Sequence, residues 1–101
     1  MSAPLSYTPL FVLQALARGH RFGFEIMDVT GLPSGTVYPA LRRLEAGGYV
    51  TSDWEEEGRA RRHQRPRRRY YVLTPAGRRM LSQAEARFRA VQQLFPQKAR
   101  P

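Results

Sequence analysis

Two groups of side chains in this sequence are equipped for chemistry. The run RARRHQRPRRR, from Arg59 to Arg69, holds Arg59, Arg61, Arg62, Arg65, Arg67, Arg68 and Arg69 with no acid among them. A guanidinium forks onto phosphate oxygens and stacks on bases, so this segment is suited to a polyanion and repels itself without one. The second group lies in SGTVYPALRRLEAGGYV, residues 34–50. There Val37, Ala40, Leu41 and Leu44 recur at helical spacing and form an apolar stripe. Turned away from it are Gly35, Pro39, Arg42 and Ala46, flanked by Tyr38 and Arg43. A helix small at its start and cationic in its middle can enter a major groove end-on, with Ser34 and Thr36 near phosphate and Arg42 reaching a guanine edge. The plain alternative is that Arg42 and Arg43 are solvated surface residues.

Composition sharpens the first possibility. Lys plus Arg number 17 against 8 Asp plus Glu, a net charge of +9, and all the cations but Lys98 are arginine. That balance points to nucleic acid before membrane or acidic protein. A chain of 101 residues fits one domain with a modest core and little room for a substrate cleft. Without cysteine there are no disulfides and no thiolate metal sites, and His20 and His63 are too few to hold zinc or haem, so no cofactor is expected. No paired carboxylates occur outside Glu55-Glu56-Glu57, which leaves an enzyme without a base, nucleophile or metal. The longest apolar run, Leu10 to Leu13, cannot span a bilayer and no cationic signal region precedes it. A soluble, cytoplasmic, nucleoid-associated protein with no membrane partner is expected.

The elements that must position these residues follow from periodicity. Leu10, Phe11, Leu13 and Leu16 mark a first core helix, with Thr8 as cap, Pro9 in the first helical position and Gly19 as terminator. A second helix carries Phe22, Ile26 and Val29, Gly23 allows a close backbone approach, and Gly31 stops it before Pro33. The third is the amphipathic helix above, capped by Ser34 or Thr36. Pro39 favours the later start, where its missing N–H lies in the first turn. Gly47-Gly48 closes it. The period then switches to two in Tyr49–Trp54 and again in RYYVLT at 69–74, giving a hairpin with a long basic connection. The acids at 55–57 are expected opposite Arg67–Arg69, leaving Arg59, Arg61, Arg62 and Arg65 unpaired, and Arg65-Pro66-Arg67 is similar to short arms that lie in a minor groove. Thr74-Pro75 starts a last helix of about 30 Å with Met80, Leu81, Ala84, Phe88, Val91, Leu94 and Phe95 on its apolar side. Its far half extends beyond so small a domain, so a second chain is expected to bury Phe11, Met80, Ala84, Phe88, Val91, Leu94 and Phe95. The tail 96–101 is expected to fray.

This order of a mainly α fold with a small β-hairpin is that of a winged helix-turn-helix: residues 1–74 as the DNA-binding unit and 75–95 as a continuous dimerisation helix. GFEI at 23–26, GTVYPALRRLEAGGYV at 35–50 and RRYYVLTPAGRRML at 68–81 resemble the PadR family of bacterial transcriptional regulators. The resemblance implies a homodimer on double-stranded DNA, repressing a palindromic operator and released by a ligand or stress signal. By matching positions, it also implies that Ser34, Gly35, Thr36, Tyr38 and Pro39 line the DNA end of the third helix, with Arg42 and Arg43 beside it. Two features depart from the family pattern. Only seven residues separate GFEI from SGTVYP, so the angle between helices two and three is expected to differ. The connection is also longer and richer in arginine, so contacts by Arg59, Arg61, Arg62, Arg65, Arg67 and Arg68 rest on charge alone.

A non-specific or architectural nucleic-acid binder acting through the arginine run is the competing reading, with Trp54, Tyr70 and Tyr71 as stacking residues for a single strand. Alternation along the strand makes one of those tyrosines core. At the expected dimer seam, Phe11, Phe88, Val91 and Phe95 are open to two readings, a small-molecule effector pocket or a packed interface.

Overall fold

The computed structural model describes residues 7–94, so the expectations for Phe95 and for the tail lie outside the described residues. Among the described residues, five helices and two strands follow one another as α1 (Thr8–Ala17), α2 (Gly23–Thr30), α3 (Ser34–Ala46), β1 (Val50–Trp54), α4 (Glu57–Arg62), β2 (Arg69–Leu73) and α5 (Pro75–Leu94). This is the winged helix-turn-helix architecture, with one addition, α4, inside the wing's connection.

The core is gathered around α1, whose Leu10, Val12, Leu13, Ala15 and Leu16 are all buried. Because apolar residues occupy nearly its whole circumference, α1 is enclosed by α2, α3, α5 and β2. Phe11, on the remaining side, stays partly exposed. Thr8 is the first helical residue rather than the cap, which puts Pro9 second, still within the turn where an N–H has no helical acceptor. α2 buries Ile26 against this core, but Val29 is exposed and Phe22 precedes the helix in extended conformation. Phe22 instead bridges Tyr70, and the Tyr71 N–H donates to the Arg21 carbonyl at 2.8 Å, fastening the start of α2 to the wing.

A three-residue turn, Gly31 to Pro33, joins α2 to α3. Val37, Ala40, Leu41 and Leu44 are buried, the stripe read from their spacing. The start differs from both sequence-based choices: Pro33 holds the cap position, and its carbonyl accepts from the N–H groups of Thr36 and Val37. Pro39 therefore sits inside the helix, not in its first turn, and cannot donate to the Gly35 carbonyl one turn back. The expectation that its missing N–H would be costless does not hold. Gly23 allows the approach that places the Tyr38 ring over α2, since a Cβ at Gly23 would overlap that ring.

The strands pair antiparallel with Val50 opposite Leu73 and Trp54 opposite Arg69. At the base of the wing, Thr74 caps α5: the Gly77 N–H donates to its hydroxyl oxygen at 3.0 Å while that hydroxyl donates to the Gly48 carbonyl at 2.7 Å. The first half of α5 packs on α1, with Leu81 buried and Met80, Ala84 and Phe88 half-buried against the core. Phe88 meets Tyr7 edge-on, ring centres 4.9 Å apart, so its own chain covers part of what a partner was expected to bury. Met80 and Ala84 likewise serve the internal core, because α5 lies along α1 before leaving it. Beyond Phe88 the helix projects, and Leu94 is 73% exposed. The radius of gyration of 16.0 Å exceeds the roughly 13 Å of a compact chain of this length, as a projecting helix requires.

The connection between the strands departs furthest from expectation. Glu55 is only 4% exposed, and the chain folds around its carboxylate. Arg65 donates to both oxygens, at 2.6 and 2.8 Å; the Arg68 N–H adds a bond at 3.2 Å and the Tyr70 hydroxyl one at 3.3 Å. Glu55 also joins the backbone across the wing, its N–H donating to the Arg68 carbonyl at 2.7 Å and its carbonyl accepting from Arg67 Nε at 2.9 Å. Between these anchors Glu57–Arg62 winds into α4, with Glu57 at its positive end, arginines at its negative end and Ala60 buried beneath. Arg59 reaches Glu55 at 3.6 Å and Arg61 reaches Glu57 at 3.4 Å, each one turn along. Arg59, Arg61 and Arg65 are thus paired, contrary to expectation, and only Arg62 of that set makes no ion pair among the described residues.

The hydrogen bond from Arg65 foremost, with those from Arg68 and Tyr70, holds the Glu55 carboxyl down to about 2 from an ordinary 4.5, against the opposing effect of burial. A depressed acid contributes order that is complete above its unfolded value and lost as pH falls through its folded one. Trp54 is the only tryptophan and sits in the wing, so its emission should stay constant down to about pH 4.5 and change between there and about 2. A change complete above pH 4.5 would contradict this. Separately, a Cβ at Gly77 would collide with the Tyr49 carbonyl. Gly77→Ala should therefore destabilise the protein by about 1–3 kcal/mol in urea titration, although alanine is the better helix former.

Candidate nucleic-acid interface

One face of the molecule brings together the free side of α3 and the wing. On α3, Ser34, Gly35, Arg42, Arg43 and Ala46 are exposed, Tyr38 is exposed at its edge, and Thr36 and Pro39 are half-buried. No acid occupies the first turn, so the positive end of the helix is uncompensated by its own side chains. Glu45, on the flank, accepts from the Ser52 hydroxyl at 2.6 Å and lies 3.7 Å from Arg69. That carboxylate ties α3 to both strands of the wing and fixes the spacing of the two cationic surfaces.

The wing presents its cations on aromatic supports. Arg67 and Arg69 lie over the Trp54 ring at 5.5 and 5.1 Å, Arg68 over Phe22 at 4.1 Å, and Arg21 over Tyr70 at 5.3 Å. A guanidinium stacked by its face keeps its N–H edges available and loses little further freedom on meeting an anion. Between the wing and the α2–α3 corner runs an open groove of about 700 Å³, lined by Phe22, Phe24, Tyr38, Trp54, Tyr71 and the segment Arg65–Arg69. Its walls combine flat apolar rings with fixed positive charge, which suits a sugar-phosphate backbone.

Not every cation named from the sequence stands equally free. Arg42, Arg43 and Arg62 are exposed without ion pairs among the described residues, and Arg59 and Arg61 are exposed but paired. Arg67 is exposed and Arg68 half-buried, each anchored over an aromatic ring. Arg65 borders the groove, but its guanidinium is engaged by the buried Glu55 carboxylate, a hydrogen bond that raises its already high pKa. The single-strand platform does not assemble, since Tyr71 is buried and Tyr70 is engaged by Phe22, Arg21 and Glu55. Sequence reasoning missed Arg21 and Phe22 as parts of this surface, and it named Trp54 and Arg69 without joining them. The signal that joins Trp54 to Arg69 is the strand register, which a connection of unpredicted shape left open.

Among the described residues, no helix is long and apolar enough to cross a membrane. The model for the transcriptional regulator PadR-like family matches residues 12–83, from the middle of α1 to the first half of α5. Among solved structures, the chain is similar to a PadR family transcription regulator from Clostridium difficile R20291, at 25% identity over 89% of this chain and 95% of that one, with a TM-score of 0.77. A transcriptional regulator from Clostridium thermocellum is similar at 28% identity over 88% and 86% of the two chains, with a TM-score of 0.73. The fold is also that of Bordetella bronchiseptica BpsR, whose DNA binding is regulated by 6-hydroxynicotinic acid, at 20% identity over 98% and 66% of the chains and a TM-score of 0.74. Among curated proteins, none matches. A family match over most of the chain and a fold shared with its members agree with the cationic face: this protein belongs to the PadR-like family and is a DNA-binding transcriptional regulator, not an enzyme.

Proposed function

We propose that the chain acts in the cytoplasm, on the nucleoid, as a homodimeric repressor of a palindromic operator, released by a ligand or stress signal. Residues 1–74 form its DNA-binding unit and 75–95 its dimerisation helix. The observation that carries this reading is the coexistence, in one small chain, of a shaped cationic face and an apolar helix side that the described residues leave uncovered. Phe11, Val91 and Leu94 border that uncovered side. A two-fold pairing through it turns two weak half-sites into one operator, the half-sites about one helical turn apart. Release by a small molecule is supported by the fold shared with BpsR, whose own DNA binding answers to 6-hydroxynicotinic acid.

In this reading Ser34, Gly35, Thr36, Tyr38 and Pro39 approach the major groove and Arg42 and Arg43 read or flank base edges, while Arg61, Arg62, Arg67 and Arg68 meet phosphate. Arg42→Ala should then lose about 1–3 kcal/mol of discrimination between the preferred operator and random duplex, with a smaller loss on random DNA. Neutralising Arg61 and Arg62 should weaken both duplexes alike and lower the slope of log affinity against log salt by about one for each phosphate contact removed. Fluorescence-anisotropy titrations across salt separate these outcomes; equal effects of both changes on both duplexes would replace the sequence-specific repressor with a non-specific binder.

Dimerisation has its own check in sedimentation velocity. The wild-type chain should sediment as a dimer at micromolar concentration, and Val91→Glu with Leu94→Glu should yield a folded monomer that binds DNA more weakly. A monomeric wild type would remove the two-fold operator from the account.

A further inference from the structure

Glu55 is an acid placed at the centre of a surface whose business is to bind an acid. Elementary electrostatics makes such a residue unfavourable, because its charge repels phosphate and cancels a neighbouring arginine. Its surroundings are nevertheless built for the ionised form, with both oxygens of the buried carboxylate held by the Arg65 fork, the Arg68 N–H and the Tyr70 hydroxyl. A bidentate Arg–carboxylate pair with additional donors fixes direction as well as distance. The groups it fixes are those of the candidate interface. Arg68 is hung by its backbone on Glu55 and reaches Phe22, and Arg67 is hung by Nε on the Glu55 carbonyl and reaches Trp54.

We propose that Glu55 is a positioning residue for DNA binding: its buried carboxylate folds the arginine-rich connection around itself and presents Arg67 and Arg68 to the nucleic acid, while withdrawing Arg65 from contact. The inference rests on the DNA-binding reading above. Its consequence has a sign opposite to that of simple charge. Removing a negative charge from a cationic surface should tighten DNA binding; removing this one weakens it, because the cations then lose their fixed placement and must be ordered on binding. Arg65, although cationic and close to the interface, behaves as Glu55's partner and not as a phosphate contact.

The test compares wild type, Glu55→Gln, Arg65→Gln and the double variant on one duplex across a range of salt, with Trp54 emission reporting the wing and far-ultraviolet circular dichroism reporting the helices. Glu55→Gln should bind on the order of tenfold more weakly, with altered Trp54 emission and retained helicity. Arg65→Gln should do the same, and the double variant should be no weaker than the worse single one, since both residues act through one interaction. Binding by Glu55→Gln as tight as wild type or tighter, or a double variant showing the sum of two independent losses, overturns the proposal. Should Glu55→Gln lose its helices, Arg65→Lys serves instead: it keeps the charge but breaks the fork, and unchanged affinity and emission overturn the positioning role. Failure of the wild type to bind duplex at all would sink the DNA-binding reading, and unchanged Trp54 emission in Glu55→Gln would still refute the wing-ordering claim by itself.

Discussion

A loop that contains Arg59, Arg61, Arg62, Arg65, Arg67, Arg68 and Arg69 cannot become compact unless an anion is built into it. Glu55 is that anion, and the functional surface depends on it. Around its carboxylate the Arg65 fork closes and α4 packs Ala60 inward, while across the strands its backbone bonds Arg68. A second carboxylate, Glu45, does similar work at the other end of the wing by bonding Ser52 and approaching Arg69. Two acids thus organise a surface that is mainly cationic, one setting the wing's internal shape and the other its position against α3.

The aromatic residues give this electrostatic arrangement its persistence. Arg67 and Arg69 share Trp54, Arg68 covers Phe22, and Phe22 in turn stands edge-on to Tyr70, 5.8 Å between ring centres. Phe22 also bridges to β2 through its backbone, so the start of α2 and the wing are held as one unit. Both surfaces of the interface are then fastened to the core from several sides, through Gly23 beneath Tyr38 and through Gly77 against Tyr49.

Much of the fold was legible in the sequence because its signals are local. The α3 stripe of Val37, Ala40, Leu41 and Leu44, the Thr74 cap and the two strand runs each announce themselves within a few residues. What was not legible depends on long-range partners. Arg65 is ten residues from Glu55 and looked like free charge; Phe22 had the spacing of a helical residue and is held extended by Tyr70; Phe88 is covered in part by Tyr7, far away in the chain. The α4 helix is too short for periodicity to reveal, although Glu55–Arg59 and Glu57–Arg61 are each spaced four apart and carried the available hint. Family resemblance named the third helix, which is present as α3, and had nothing to say of the enlarged wing.

The central claim is that the free face of α3 and the wing together recognise a two-fold DNA sequence. The most direct measurement is selection from a pool of random duplex DNA by the full chain, under rising salt and with excess competitor, followed by sequencing of what survives. The account predicts a recovered inverted repeat with half-sites about one helical turn apart. Survivors without a common motif, with affinity collapsing steeply as salt rises, would contradict it and leave the arginine-rich wing as a non-specific binder.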